Sequence, residues 1–480
     1  MIYSIDELVR KGATYPPACE IKRRDAYRVN DMLLNDDPWN ALPLYKQRVF
    51  NVLANFQVAQ KEAYFYDANY WQDLVEKMQE LIYGDKPEYT GADDAQTEVL
   101  KTVLEATEFT PKVIEGLADF VALGEWVTKV ERTEDGCRFM SVDPSTWYPI
   151  VSRENVKEVK AHVLAWLVKV SEEKRELHVQ VHERGQYTNM AFAVDKYEAD
   201  AYYKDAKDGR RINCPISTIG RQLDKSATDF ALGTFKTGFE GEFAIIATAN
   251  NAKTRTIYGS SDFDKITESA MEYNVRMTLK NLVLDKHSAP KMYGAPLLGD
   301  GDGDLGNYIE VTPGGTTPNY LVWDASMQAV ENTILKAQED VANLSGLGSL
   351  LSSKTFGESQ GYDALMIKLA PALMKTARKR AVLETHLKKL LSMLSVGYGE
   401  KVPANDITIG WKNGIPATEG VRADIAQKHL ATGWSTFDVL TKDYGWTAEA
   451  AEAAIDRKRD ETPAIPAFGM YEDEGGEPTE

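Results

Sequence analysis

The chain has 480 residues, with 73 acidic against 55 basic side chains and a formal charge of −18 at pH 7. That balance excludes an ordinary basic clamp on nucleic acid, whose affinity comes from Lys and Arg displacing counterions from phosphates. With 43% hydrophobic and 27% charged residues the composition is that of a soluble protein able to bury a sizeable core, and the length suggests about two to four domains.

The opening Met1-Ile-Tyr-Ser-Ile-Asp-Glu-Leu-Val-Arg10 lacks the basic and apolar regions of a signal peptide. No uncharged run approaches the ~20 residues of a membrane span, so cytosolic synthesis and no membrane partner are expected. Cys19, Cys137 and Cys214 share no CxxC spacing, which points to free thiols rather than disulfides or zinc.

In chain order, residues 1 to about 130 read as mostly helical, with an aromatic-rich stretch from Phe56 to Tyr70 and an amphipathic run from Trp71 to Ile82. From about 126 to 250 the period changes to two. Trp126–Glu131, Ala161–Val170 and Leu177–Arg184 read as strands, with turns at Asp135-Gly136 and Arg184-Gly185, so the body is α+β. After Gly259 a helix capped by Ser261 carries Asp262 and Asp264 in its first turn, where the dipole favours them. Its apolar stripe is Phe263, Ile266, Ala270, Tyr273 and Met277, and it extends for about 42 Å, at ~1.5 Å per residue, until Pro290 stops it.

About 35 Gly-, Asp- and Pro-rich residues follow, with two short β-like runs, Tyr308-Ile-Glu-Val and Tyr320-Leu-Val-Trp. A second helix starts near Asp324, with its stripe on Met327, Val330, Ile334, Ala337, Val341 and Leu344, the spacing of a helix packed lengthwise on a neighbour. A Gly/Ser stretch from Ser345 to Gly357 leads into a third helix, about 362–395, striped by Met366, Leu369, Leu373, Leu383, Leu387, Leu390 and Leu394 and expected to kink at Pro371. Asp406–Trp411 reads as a strand. Three short helices with caps at Ser435 and Thr447 precede an acidic tail expected to be disordered. The pattern is a hairpin of long helices, with a small β insertion at its tip, emerging from an α+β body.

Several chemical motifs compete with plainer readings. The dipeptide Gly-Lys never occurs, so there is no GxxxxGK[ST] phosphate loop, and HExxH is absent. Gly357-Glu-Ser359-Gln-Gly361 matches a GxSxG nucleophile elbow with His386 and His429 downstream, but a Gly/Ser loop rather than a strand precedes it. A flexible loop followed by a helix start is preferred, and a serine hydrolase using Ser359 remains the alternative. Asp300, Asp302 and Asp304 match the first ligands of a calcium loop, yet Leu305 and Val311 replace its Gly and final Glu, so a solvated turn is the better account. His178 and His182 share a strand face without a third ligand, which favours an ordinary exposed face over a metal half-site. No catalytic residue, metal or cofactor is therefore assigned. On the third helix, Lys375, Arg378, Lys379, Arg380, Lys388 and Lys389 form a basic cluster, either a solvated or salt-bridged face or a surface meeting phosphates or an adjacent subunit.

This element order resembles the portal proteins of tailed bacteriophages, particularly the long-tailed, siphophage type. Tyr258-Gly-Ser-Ser-Asp262 followed by Glu272-Tyr273-Asn274 resembles the family's entry into its first stem helix. Leu123-Gly-Glu-Trp-Val and Asp143-Pro-Ser-Thr-Trp-Tyr-Pro149 resemble stretches of its wing sheet. Gly361-Tyr-Asp-Ala-Leu365 and Trp411-Lys-Asn-Gly-Ile-Pro416 resemble the start of its long wing helix and the strand-turn after it. In order, these fragments cover about residues 115 to 460; the first hundred residues carry none.

The resemblance implies a portal fold, mainly helical with an α+β wing: wing 1–260, stem helices 261–289 and 325–344, clip 290–324, tunnel loop 345–360, a kinked wing helix and strand 361–416, helical crown 417–462 and tail 463–480. It implies a homo-oligomeric ring, twelve-membered in the family, at one capsid vertex of the virion, assembled in the host cytoplasm, with no enzymatic activity of its own. Implied partners are double-stranded DNA passing without sequence specificity, the large terminase subunit, head-completion or adaptor proteins, and major capsid and scaffold proteins. Another head–tail connector is the alternative within this class. The channel would be lined by Leu347, Ser349, Ser352, Ser353, Lys354 and Thr355, with Lys354 the charge facing DNA. The clip would offer Asp300, Asp302, Asp304, Tyr308, Tyr320 and Trp323 to terminase or adaptor, and Lys375, Arg378, Lys379 and Arg380 would meet DNA or a neighbouring subunit. The net charge then suits a conduit: a lumen dense in Lys and Arg would trap a polyanion, so a mostly acidic channel is expected, and residues 443–480 carry 11 acidic against 3 basic side chains.

Overall fold

A computed structural model describes residues 1–55, 61–198, 202–204, 211–213, 215–288, 292–293, 319–320, 327–351, 362–412, 419–444, 446 and 448–461. The chain divides into two compact units, Met1–Gly414 and Ile415–Glu480, and mixes helix and strand as an α+β protein.

In the first unit come helices α1 (Asp6–Val9), α2 (Ile21–Leu34), α3 (Pro38–Ala41), α4 (Pro43–Asn55), α5 (Tyr70–Tyr83), α6 (Asp94–Ala106) and α7 (Phe109–Ala122), with the short strands β1 (Thr14–Tyr15) and β2 (Glu88–Thr90) and a 3-10 turn, Lys61–Tyr64, among them. The amphipathic run expected from Trp71 is α5. Its Trp71, Leu74, Val75, Met78 and Ile82 are buried at the spacing of one helix face. Asp93 caps α6 by accepting from the Gln96 N–H at 2.8 Å.

Strands β3 (Glu125–Thr133), β4 (Gly136–Val142), β5 (Trp147–Val151), β6 (Val159–Lys169), β7 (Arg175–Glu183), β8 (Gln186–Glu198), β9 (Tyr202–Lys204), β10 (Arg211–Asn213), β11 (Ile216–Gln222), β12 (Gly233–Lys236) and β13 (Ile245–Ala249) follow. Seven strands form one antiparallel sheet in the order β1-β11-β8-β7-β6-β5, with β12 beside β8; β13-β3-β4 form another. The register sets Val163 opposite Val181, Ala165 opposite Val179 and Leu167 opposite Leu177. These residues share one face and build an apolar core with Ile2, Leu8 and Tyr15.

On the other face His162 lies opposite His182 and Trp166 opposite His178. That face is not the exposed one expected for His178 and His182. Leu164 and Trp147 pack there against Val127 and Ile245 of the three-stranded sheet, and His182 is fully buried. Period-two alternation gives a strand two faces but does not say whether a second sheet covers one of them.

Helix α8 (Phe263–Ser288) and helix α9 (Met327–Ser345) form the long hairpin, with α8 about 39 Å long at ~1.5 Å per residue. At its tip β14 (Met292–Tyr293) pairs antiparallel with β15 (Asn319–Tyr320), and Lys280 meets Glu331 at 3.3 Å across the two helices. Ile334, Ala337 and Val341 are buried as expected, whereas Leu344 is 47% exposed. After the 3-10 turn Gly348–Leu351, helix α10 (Tyr362–Ser395) runs through Pro371, which lies on its exposed side, and β16 (Thr408–Gly410) pairs with β2. One apolar core joins α2 and α4 to α10, β3 and β4.

The second unit holds α11 (Glu419–Ala431), α12 (Thr436–Asp438), a π-helical turn Val439–Asp443 and α13 (Ala448–Glu461). Ser435 caps α12, its hydroxyl accepting from the Asp438 N–H at 3.0 Å. His429 stacks on Trp434 at 4.3 Å. Among the described residues, no helix is long and apolar enough to cross a membrane.

Candidate functional site

Two of the sequence fragments quoted above, Leu123–Val127 and Tyr258–Asp262, meet at the root of the helix hairpin. Gly124, directly after α7, has φ +93°, and a Cβ there would lie 2.7 Å from the Ser260 carbonyl carbon. A Cβ on Gly259 would lie 2.1 Å from the Gly124 carbonyl oxygen. Two glycines therefore let the strand-entry turn and the helix-entry segment run in backbone contact. The Asn250 N–H donates to the Gly124 carbonyl at 2.8 Å, the Asp262 N–H to the Val121 carbonyl at 3.0 Å, and the Gly259 N–H to Glu125 Oε1 at 2.8 Å. The Ser261 hydroxyl, two residues before α8, accepts from the Phe263 N–H at 2.9 Å.

Asp262 lies one residue before α8 and serves a partner other than the helix dipole. Its carboxylate meets Lys379 Nζ at 2.7 Å and Lys375 Nζ at 3.4 Å, and Asn251 Nδ2 donates to it at 2.9 Å. Lys379 also donates to Asn250 Oδ1 at 2.5 Å, and Lys375 to the Ser345 carbonyl at 2.7 Å. Ser345 is the last residue of α9. Both roots of the hairpin, the start of α8 and the end of α9, are thus tied to one turn of α10.

Electrostatics match that geometry. Burial pushes the Asp262 carboxyl up, but Lys379 and Lys375 outweigh it and hold the group below the ordinary carboxylate range. Burial lowers Lys379 to about 8 although Asp262 opposes the shift. Beside this node Arg23 is largely buried. It pairs with Glu20 at 2.7 Å, donates to the carbonyls of Pro144 and Trp147 at 2.9 Å each, and lies over the Tyr258 ring at 4.3 Å. Burial pushes the Glu125 carboxyl up to about 7, against Arg23 and the Gly259 N–H.

Of the four basic residues expected to face DNA or a neighbour, only Arg378 is exposed. Lys379 is 4% exposed and Lys375 mostly buried, both turned onto Asp262, while Arg380 donates to the Leu81 carbonyl at 2.7 Å and lies 5.1 Å from the Trp411 ring. Charge spacing along a helix does not reveal a carboxylate more than a hundred residues away. A signal was available: the apolar stripe of the third helix skips from Leu373 to Leu383, and Thr376 and Lys379 fill that gap on the buried face. Sequence reading also missed that Asn274 and Thr278 are buried in α8. They bond the adjoining segment, with the Ala68 N–H donating to Asn274 Oδ1 at 3.1 Å, Asn274 Nδ2 donating to Asp67 at 3.0 Å, and the Tyr66 N–H donating to Thr278 at 3.0 Å.

Of the expected channel residues, Leu347 is fully buried in the helical core rather than open to a lumen, and Ser349 lies in the 3-10 turn. Ser352, Ser353, Lys354 and Thr355 lie outside the described residues, as do Ser359, Cys214, Asp300, Asp302, Asp304, Tyr308, Trp323 and the tail. Tyr320 is in β15. His386, one histidine available to a hydrolase reading, is stacked on Trp126 at 4.3 Å, with Nδ1 2.7 Å from the Thr248 hydroxyl and Nε2 3.1 Å from that of Thr128. Both of its ring nitrogens are therefore occupied within the fold. No protein-family profile matches the sequence, and no curated protein is similar to it.

Proposed function

We propose that the protein is the portal of a tailed bacteriophage: a ring-forming conduit for DNA at one capsid vertex and the docking platform for the packaging motor and head-completion proteins. In this reading α8 and α9 are the stem, the segment between them the clip, and the sheets with α10 the wing. The observation that carries it is the long helix hairpin closed by a strand pair at its tip and clamped at its root to a second long helix. A projecting arm of this kind buries one side in its own chain and leaves another for neighbours.

Exposed apolar side chains on α10 support the same reading. Ile367 is 75% and Met374 64% exposed, seven residues apart and so on one face, with Arg378 four residues further on. In a lone chain these would be solvated; in a ring a neighbouring copy would cover them.

The test is the assembled mass of the purified chain by multi-angle light scattering, with negative-stain images. A closed ring of about a dozen 53.6-kDa subunits is expected. A monodisperse monomer at micromolar concentration that no phage scaffold or terminase converts into rings would sink the proposal, and esterase activity abolished by Ser359→Ala would replace it with a hydrolase. Within the ring, Lys354→Ala is expected to leave assembly intact and change DNA retention; loss of assembly would count against a channel-facing lysine.

A further inference from the structure

Away from the hairpin root, a cleft of about 590 Å³ opens between the strand start at Lys157–His162, Arg184, the segment Glu242–Thr248 and the Thr385–Lys389 turn of α10. That size suits a small organic ligand. Its walls carry more cations than carboxylates. Lys389 and Arg184 have no carboxylate within ion-pair distance among the described residues; Arg184 donates to the Gly241 carbonyl at 3.1 Å and lies over the Phe243 ring at 4.9 Å. Lys157 donates to the Thr256 carbonyl at 2.6 Å. Of the two acids lining the cleft, Glu242 is already paired with Lys401 at 2.5 Å, which leaves the exposed Glu158 against three cations.

His162 adds a neutral donor. The Trp147 indole N–H can only donate, and it reaches His162 Nδ1 at 3.1 Å, so the imidazole carries its proton on Nε2. His162 is only 6% exposed, yet it lines the cleft, and no acceptor for Nε2–H is present among the described residues. Burial lowers this ring to about 3, with Lys389 adding to the shift, so it stays neutral at working pH. Burial lowers the Lys389 ammonium as well; Glu242 opposes that shift and Arg184 adds to it. The part-buried Lys389 beside Arg184 and the neutral His162, with Glu242 shared between Lys389 and Lys401, leaves the cleft with more positive than negative charge and favours an anion entering it.

We propose that this cleft binds a small phosphate-bearing molecule, its phosphate seated between Lys389, Arg184 and His162 Nε2–H and its organic part lying along Phe243. Arg184 presents the planar fork that matches phosphate oxygens, Lys389 a point charge, and Thr385 an exposed hydroxyl at the rim.

The full-length chain should be titrated by calorimetry and thermal shift with AMP, ATP and pyrophosphate, using sodium sulfate at matched ionic strength as control. Binding of the phosphates, at least tenfold weaker in both Lys389→Met and Arg184→Gln with unchanged far-UV circular dichroism, is expected. Lys389→Met alone should not lower the melting temperature, because it removes a part-buried cation while Glu242 keeps its pair with Lys401. Equal binding of pyrophosphate and nucleotide would show that phosphate alone is recognised; preference for nucleotide would add the Phe243 wall. No binding to the wild-type chain, binding undiminished in both variants, or the same shift with sulfate would overturn the proposal. So would binding confined to a DNA duplex and lost in Lys389→Met, which would assign the cleft to nucleic acid.

Discussion

Asp262 is the residue on which the hairpin root depends. Changing it to Asn leaves two enclosed ammonium groups facing each other, and breaking one side of a buried ion network costs on the order of 3–5 kcal/mol. The expected result for Asp262→Asn is a urea midpoint lowered accordingly, and the combined Asp262→Leu, Lys379→Met should recover most of the loss. If the single variant is as stable as wild type, the node is not a structural tie. Glu125 makes a pH-dependent prediction. Its folded carboxyl titrates near 7 against an ordinary 4.5, so the native state keeps a proton that the unfolded chain has released, and stability is lost as pH rises from about 4.5 through 7. Glu125→Gln should therefore gain on wild type between pH 5 and pH 8, by up to about 3 kcal/mol, read from denaturant midpoints at the two values. A gap that does not change with pH would contradict the assignment. These roles were only partly legible in the chain. Gly124, Gly259 and Asp262 stood inside fragments that could be picked out, but that they touch one another depends on long-range packing that no local pattern encodes.

Among elements, those with strong periods were legible: the amphipathic helix from Trp71, the alternating strands β6 and β7, and the two helices of the hairpin. Periodicity counts apolar residues, however, and misassigns polar ones that serve a neighbour. Asn274 and Thr278 are buried because the backbone of residues 66–68 runs along α8 and needs acceptors. Asn274→Ala removes one acceptor and one donor there and should cost about 1–3 kcal/mol, with faster amide exchange confined to residues 66–68 and α8. Unchanged protection in both segments would refute that link. Helix α10 presents the complementary case, apolar residues left exposed among the described residues. Ile367→Glu with Met374→Glu should leave the helical content intact and abolish the proposed assembly, seen as a collapse of sedimentation coefficient to that of a single chain. Rings that persist in this double variant would remove α10 from the interface.

At the scale of the whole molecule, the α+β character follows from where periods change along the chain. The pairing of two sheets through His162 and His182, and the cleft beside them, did not, because a strand's sequence carries no record of what lies above it. The clamp at the hairpin root has a further consequence. Chain leaving the body at Asp262 comes back at Ser345, and both points answer to one turn of a single helix, while the strands at Met292–Tyr293 and Asn319–Tyr320 close the far end. A load applied at those strands is therefore carried down both helices to the same stretch of α10, so the hairpin should swing as one lever rather than as two separate helices.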